Sequence, residues 1–180
     1  MTTPRCAMLL RAVNVGGAGR VPMAELRSLL AEQLGLRNVS TYIASGNILC
    51  EAPEDPDSTR AAVRALIRDA FAVDTPVILR THDRLARILA ENPFPDAEDK
   101  LLHAMFLEGE PERGAVDALT ERLRPGERIA LRGEDLWVDY AAGGVHATAL
   151  TRPVLDKALG VAGTARNLRT VRKLVELTAS

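Results

Sequence analysis

Several features are scarce in this sequence of 180 residues, and each scarcity excludes a class of protein. Aromatic residues make up only 3% of the chain, so leucine, valine, isoleucine and alanine have to build the core. The two cysteines, Cys6 and Cys50, are too few for a disulfide scaffold. No apolar run approaches the roughly twenty residues that a membrane-spanning helix needs, and the first residues lack the pattern of a secretory signal. We therefore expect a cytoplasmic protein that does not enter a membrane.

A surplus of charge of one sign is also missing. The chain carries 23 lysines and arginines against 24 acidic residues, which gives no global reason to expect nucleic acid or an anionic membrane as a partner. The distribution is uneven, because both ends of the chain are basic and the acidic residues gather in the middle. The length suits one domain, or two small subdomains that share a core.

Hydrophobic periodicity predicts a mixed α+β fold. The predicted strands cover residues 5–13, 39–43, 47–51, 76–80, 101–107, 128–131, 136–140 and 145–149. The predicted helices cover 22–34, 58–72 (with Ser58 as its N-cap), 83–90, 111–123, 151–159 and 167–178. The first six elements follow the order β-α-β-β-α-β, which is typical of ferredoxin-like domains. We predict a ferredoxin-like subdomain over residues 1–80 and a second, smaller α+β subdomain over residues 81–180, which ends in a basic amphipathic helix.

A glycine-rich stretch follows the first predicted strand. It runs from Arg11 to Arg20 and contains Asn14, Gly16 and Gly17. Backbone N–H groups of a glycine-rich turn before a helix are well suited to bind an anion. The spacing fits neither the dinucleotide fingerprint nor the Walker pattern, so no cofactor is predicted. The simpler interpretation is that the glycines only allow a positive φ in a tight turn.

A second polar turn, Ser45-Gly46-Asn47, joins the second and third predicted strands. A right-handed β-α-β crossover makes strands one and two parallel, so both end at the same edge of the sheet. In a ferredoxin-like sheet the first strand also lies beside the third. We predict that the two turns meet there, and we call the predicted site the polar rim. It comprises Arg11, Asn14, Gly16, Gly17, Arg20, Ser45, Gly46 and Asn47. The alternative is an ordinary hairpin turn, since glycine and asparagine tolerate the left-handed conformation.

The densest basic cluster lies near the end of the chain and comprises Arg166, Asn167, Arg169, Arg172 and Lys173. Arg166, Asn167 and Arg169 are candidates to join the polar rim and hold a phosphate or a nucleic-acid backbone. The alternative is the solvated face of an amphipathic helix. Recognition of bases is not supported, because the two predicted central strands lack the aromatic residues on which bases stack.

No metal site and no catalytic residue is predicted. His82, His103 and His146 are not paired with another ligand at the required spacing, and no serine or cysteine nucleophile can be assigned to a histidine. Cys6 begins the first strand and Cys50 ends the third, so antiparallel pairing would bring them together as buried thiols.

Five stretches carry a resemblance to a known family. They are Leu10–Gly17, Val21–Leu26, Thr41–Asn47, Asn92–Phe94 and Thr164–Val171. Through them the chain resembles the bacterial family called domain of unknown function 1697. The resemblance implies an α+β fold of two subdomains, the first ferredoxin-like, and no established reaction. The chain departs from the family at Leu168, where members usually have tryptophan, and at 144–147, where many have a glycine-arginine-serine-lysine run.

The leading hypothesis is a module that binds a phosphorylated small molecule or a nucleic-acid backbone at the polar rim. One alternative is an enzyme acting on a phosphorylated substrate, in which Arg11 and Arg20 steer charge and Asn14 or Ser45 lies near the reacting centre. Another is a structural module that associates with itself through apolar surface. The oligomeric state is left open.

Overall fold

The structure, a computed structural model, describes residues 3–17 and 19–179. The strands are β1 (Arg5–Leu10), β2 (Ser40–Tyr42), β3 (Asn47–Glu51), β4 (Val77–Thr81), β5 (Leu102–Leu107), β6 (Arg128–Arg132), β7 (Asp135–Asp139) and β8 (Gly163–Asn167). The helices are α1 (Met23–Leu34), α2 (Pro56–Phe71), α3 (His82–Ala90), α4 (Ala115–Thr120), α5 (Gly144–Ala147), α6 (Arg152–Leu159) and α7 (Leu168–Thr178). The fold is therefore mixed α+β, as predicted.

The chain divides into two units, and the first comprises Met1–Leu85 with Leu174–Ser180. Its sheet has the strand order β2-β3-β1-β4, with antiparallel pairing throughout. β1 therefore lies beside β3, as predicted. The strand ends at Leu10 instead of residue 13, because Ala12 and Asn14 have φ values of 54° and 55° and leave the extended conformation.

The core of the first unit lies between this sheet and the helices α1 and α2. Residues Cys6 to Leu10 are all fully buried, which agrees with their apolar character on both faces of the strand. Met8 and Leu10 belong to one cluster with Leu26 of α1 and Ile67 of α2. α1 ends at Gly35, whose left-handed conformation allows its N–H to bond the carbonyl of Leu30.

Helix α2 begins earlier than its predicted cap. The N-cap is Asp55 and not Ser58, since the Asp55 carboxylate accepts a hydrogen bond of 3.1 Å from the backbone N–H of Ser58. Pro56 occupies the first turn, where its fixed φ suits a helix and its missing N–H costs nothing. Ser58 therefore lies inside the helix that it was predicted to cap.

The second unit comprises Ala86–Lys173. Its sheet has the order β6-β7-β5-β8 and is also antiparallel. α4 and α6 supply Leu119, Leu155 and Leu159 to a core that includes Met105 and Leu107 of β5.

In the second unit one predicted strand is absent and one strand was missed. Residues 145–149 were predicted as a strand, but residues 144–147 form α5, and no strand of the described sheet pairs with this segment. β8 was missed, since Thr164 and Arg166 are polar residues that alternate toward a buried face. A Cβ at Gly163 would lie within 3.0 Å of the side chains of Leu107 and Met105, so glycine lets β8 approach β5.

None of the helices in the two described ranges is long and apolar enough to span a membrane.

The cap of α2 yields a first prediction. We expect Asp55→Ala to lower the free energy of unfolding by about 1 kcal/mol, because it leaves the N–H of Ser58 without its acceptor. Ser58→Ala serves as the matched control and is expected to change stability by less than about 0.5 kcal/mol. Urea denaturation measures both. Equal losses from the two variants would contradict the assignment of Asp55 as the cap.

Candidate functional site

The structure brings the two predicted turns together at the end of β1. The N–H of Leu10 donates to the carbonyl of Gly46 at 2.8 Å. The side chain of Asn14 donates to the carbonyl of Ala44 at 2.7 Å. Gly46 packs so closely that a Cβ on it would lie 2.7 Å from side-chain atoms of both Leu10 and Val13, and its φ is 85°. Both its space and its conformation therefore require glycine.

The side-chain amide of Asn14 holds the glycine loop and the second turn together. One N–H donates to Ala44, and the other donates to the carbonyl of Val21 at 2.9 Å. The Asn14 oxygen accepts a 2.8 Å hydrogen bond from the N–H of Val21, and its backbone N–H bonds the carbonyl of Gly19 at 2.9 Å. The amide thus closes the glycine loop and joins it to the second turn. Asn14 is a positioning residue, since both of its side-chain N–H groups are used inside the protein.

The polar residues of the second turn also hold the backbone. Asn47 is fully buried, and its amide donates to the carbonyl of Tyr42 at 2.9 Å and to the Ser45 hydroxyl at 3.3 Å. The backbone of Arg11 is held from the other side of the loop by Thr75. The hydroxyl of Thr75 accepts from the N–H of Arg11 at 2.9 Å and donates to its carbonyl at 2.8 Å. These side chains therefore hold the backbone and the side chains of the two turns in place.

The solvent-facing part of the polar rim is a smaller set. Gly16 and Gly17 are exposed, with φ values of 62° and 78°, and a Cβ on either would meet nothing within 4 Å. Among the described residues, no hydrogen bond uses their backbone N–H groups. Arg20 is exposed and makes no hydrogen bond or ion pair with any of the described residues. Two amide donors and one guanidinium are the kind of groups that bind an anion.

The start of α1 follows Arg20 closely. Its N-cap is Pro22, which offers no side chain to the N–H groups of the first turn. Glu25 is the acidic residue of that turn and is exposed. The helix dipole adds a modest attraction for negative charge near the glycine loop, which Glu25 partly offsets.

Two apolar residues of these turns were missed by sequence reasoning. Val15 is 55% exposed and Ile43 is 51% exposed. Ile43 also has a φ of 49°, which is strained for a β-branched residue. Strain of this kind is often concentrated at functional sites. For Val15 a signal was present in the sequence, because a large apolar residue in a glycine-rich polar stretch has no core to enter. Ile43 was predicted as the end of the strand over residues 39–43, but β2 ends at Tyr42 and leaves Ile43 outside the strand.

The three C-terminal residues that were predicted to join the polar rim lie in the second unit and differ in their contacts. Arg166 belongs to β8 and is only 7% exposed. Its guanidinium donates to the Thr164 hydroxyl at 2.7 Å and to the carbonyl of Ala165 at 2.9 Å, and burial lowers its pKa to about 10. Asn167 accepts a 2.9 Å hydrogen bond from the N–H of Thr170 in the first turn of α7. Arg169 is exposed and is unpaired within the described ranges.

The two thiols are neighbours, as predicted. Cys6 and Cys50 are directly opposite in the β1–β3 pair, and their sulfur atoms lie 3.7 Å apart. Both are fully buried and reduced. The hydrogen bond with Cys50, together with burial, raises the pKa of Cys6. Such thiols behave as small core residues and are poor nucleophiles.

Three other titratable groups in the second unit form contacts within the fold. His103 packs edge-on against Tyr140 with ring centroids 5.1 Å apart, and burial lowers its pKa. Burial also raises the pKa of Tyr140 to about 12. Arg128 binds Asp139 at 2.7 Å and lies 4.6 Å from the centre of the Phe94 ring. In residues 3–17 and 19–179, no group of three or more potential ligand side chains is arranged to hold a metal ion.

Comparison with known proteins identifies relatives but no activity. The model of a family described as "Protein of unknown function (DUF1697)" matches residues 3–137. The chain is also similar to a solved structure, that of the conserved bacterial protein SP0830 from Streptococcus pneumoniae. The two are 25% identical with a TM-score of 0.68, and the similarity covers 99% of this chain and 100% of that one. No curated protein is significantly similar to the chain.

The packing of the second turn generates a prediction. We expect Gly46→Ala to lower the free energy of unfolding by about 3 kcal/mol, because the new methyl group meets Leu10 and Val13 and takes a positive φ. Gly35→Ala is the matched control, since Gly35 has a φ of 64° and no atom within 4 Å of the added carbon. It should cost about 1 kcal/mol. If urea denaturation gave equal losses, the two turns would not be packed as described.

The pair of buried thiols, Cys6 and Cys50, leads to another prediction. The native protein is expected to resist labelling by a chromogenic disulfide reagent even at mildly alkaline pH, because both thiols are fully buried and the reagent cannot reach them. Two thiols per chain should react after unfolding in urea. Rapid labelling of the folded protein would show that the β1–β3 pair opens easily.

Proposed function

The chain belongs to the DUF1697 family, and we propose that it binds a phosphorylated small molecule at the polar rim of its first unit. The proposal depends on a set of hydrogen-bond donors in the polar rim that have no acceptor among the described residues. The Gly16 and Gly17 amides and the Arg20 guanidinium face solvent, and none has a partner among the described residues. The β2-β3-β1-β4 order supports the prediction that this unit is ferredoxin-like. We expect the protein to act in the cytoplasm, where its thiols stay reduced.

The loop is already held before any ligand arrives. Asn14 makes three side-chain hydrogen bonds, to Val21 and Ala44, and Thr75 bonds the backbone on both sides of Arg11. A loop fixed in this way loses little conformational freedom on binding, so more of the interaction energy is available for affinity. Charge-assisted hydrogen bonds from Arg20 to a phosphate are roughly twice as strong as neutral ones.

The exposed apolar residues favour a small molecule over a nucleic-acid backbone. Val15 and Ile43 belong to the turns that Asn14 joins, and each is more than half exposed. An apolar part of a phosphorylated ligand would cover them, whereas a bare phosphate backbone would not. Backbone binding also depends on many phosphate contacts. Among the described residues of the polar rim, Arg20 is an exposed cation and Arg11 is half-buried, which is a small number for that purpose.

Binding is favoured over catalysis by the roles of the polar side chains. The amides of Asn14 and Asn47 are used for internal hydrogen bonds, and the Ser45 hydroxyl accepts from Asn47. The polar rim includes no histidine, carboxylate or thiol to act as general acid, base or nucleophile.

Isothermal titration with inorganic pyrophosphate and with a nucleoside diphosphate tests the proposal. We expect saturable binding of at least one, and Arg20→Gln should weaken it roughly tenfold because one charge-assisted contact is lost. Arg152→Gln is the matched control, since Arg152 is also exposed, is unpaired within the described part of the chain and was not predicted to join the polar rim. It should leave the affinity unchanged.

Two outcomes would overturn the proposal. The first is the absence of binding to either ligand. The second is an equal loss of affinity in Arg20→Gln and Arg152→Gln, which would indicate attraction by the general charge of the protein. Tighter binding of short single-stranded DNA than of either diphosphate would replace the small molecule by a nucleic-acid backbone.

A further inference from the structure

A groove in the second unit lies between α4 and α6, which pack against each other. It has a volume of about 400 Å³. Its walls are formed by Ala118, Arg122, Pro153, Val154, Lys157 and Ala158. Ligand sites commonly have volumes of about 300–1,000 Å³. We infer that this groove binds a small amphipathic carboxylic acid, with the carboxylate between Arg122 and Lys157 and the apolar chain along the helices.

The floor of the groove is apolar and packs against the core of the second unit. Val154 and Ala158 are half-buried and pack against the core cluster that contains Leu119, Leu155 and Leu159. Ala118 and Pro153 are exposed and complete the apolar surface. A hydrocarbon chain on this surface would remove apolar area from water on both partners, which favours binding.

The charges at the edge of the groove are all positive. Arg122 and Lys157 are exposed, and neither side chain has a hydrogen bond or ion pair with any residue that the structure describes. No acidic residue is among the six that form the groove. Arg122, in the turn after α4, and Lys157 of α6 place two cations at the same groove, which creates a local field that attracts an anion. The fork of an arginine suits a carboxylate in particular.

The size of the groove argues for a small ligand. α4 has six residues and α6 has eight, so at 1.5 Å per residue the helices are about 9 and 12 Å long. A stable protein partner typically covers about 800 Å² on each side, which two such short helices do not provide. A straight carboxylic acid of medium chain length matches the length of α6.

The inference is independent of the proposed function, because the polar rim belongs to the first unit. Titration of the whole chain with octanoate, followed by amide chemical shifts, tests it directly. We expect saturable shifts centred on Ala118, Val154 and Ala158. 1-Octanol, which has the same chain without the charge, should bind roughly tenfold more weakly, since the charge-assisted contacts are missing.

Variants separate the charge from the apolar floor. The double variant Arg122→Gln, Lys157→Gln should reduce octanoate affinity to that of 1-octanol. Lys100→Gln is the control, because Lys100 pairs with Glu98 away from the groove and should have no effect. Ala118→Trp should abolish binding by filling the groove from an exposed position, with an unchanged unfolding midpoint.

Three results would overturn the inference. They are the absence of saturable shifts in the groove, equal affinity for octanoate and 1-octanol, and full octanoate binding by Ala118→Trp.

Discussion

The polar end of the first unit depends on one side-chain amide. Asn14 satisfies two backbone groups of Val21 and one of Ala44, so a single residue closes the glycine loop and ties it to the turn between β2 and β3. The β1–β3 pairing brings the two turns to the same end of the sheet, and Gly46 lets them approach closely. The exposed Gly16, Gly17 and Arg20 belong to the loop that Asn14 closes, next to the turn that contains the buried Asn47.

Long-range order was easier to predict from this sequence than local detail. The β-α-β-β-α-β order, which is typical of ferredoxin-like domains, predicted β1 beside β3 and hence Cys6 beside Cys50. Together with the right-handed crossover rule, it also predicted that the two turns meet. The errors in secondary structure occurred where the local sequence pattern does not show whether a segment has a strand to pair with. Residues 163–167 look polar, yet pairing with β5 makes them a strand, whereas the apolar residues 145–149 have no strand to pair with.

Residue type alone also did not distinguish the side chains that hold the backbone from those that are available to a ligand. Asparagine and serine in a glycine-rich turn suit a ligand and a backbone carbonyl equally well, and in this chain Asn14 and Asn47 bond carbonyls. The same holds for Asn167, which bonds the first turn of α7, and for Arg166, whose guanidinium is buried against Thr164. The residues that we propose for a ligand are the ones whose polar groups make no hydrogen bond with the described part of the chain. The strained, exposed Ile43 fits this division, because it contributes nothing to the core.

The central claim is that a loop fastened by Asn14 presents the amides of Gly16 and Gly17 to a phosphate. The most direct measurement is the change in amide chemical shifts on addition of pyrophosphate to the wild type and to Asn14→Gly. Glycine tolerates the φ of 55° at this position but removes the three side-chain hydrogen bonds. The account predicts saturable shifts of Gly16 and Gly17 in the wild type and their loss in the variant. Unshifted glycine amides in the wild type, or the same response in both proteins, would contradict it.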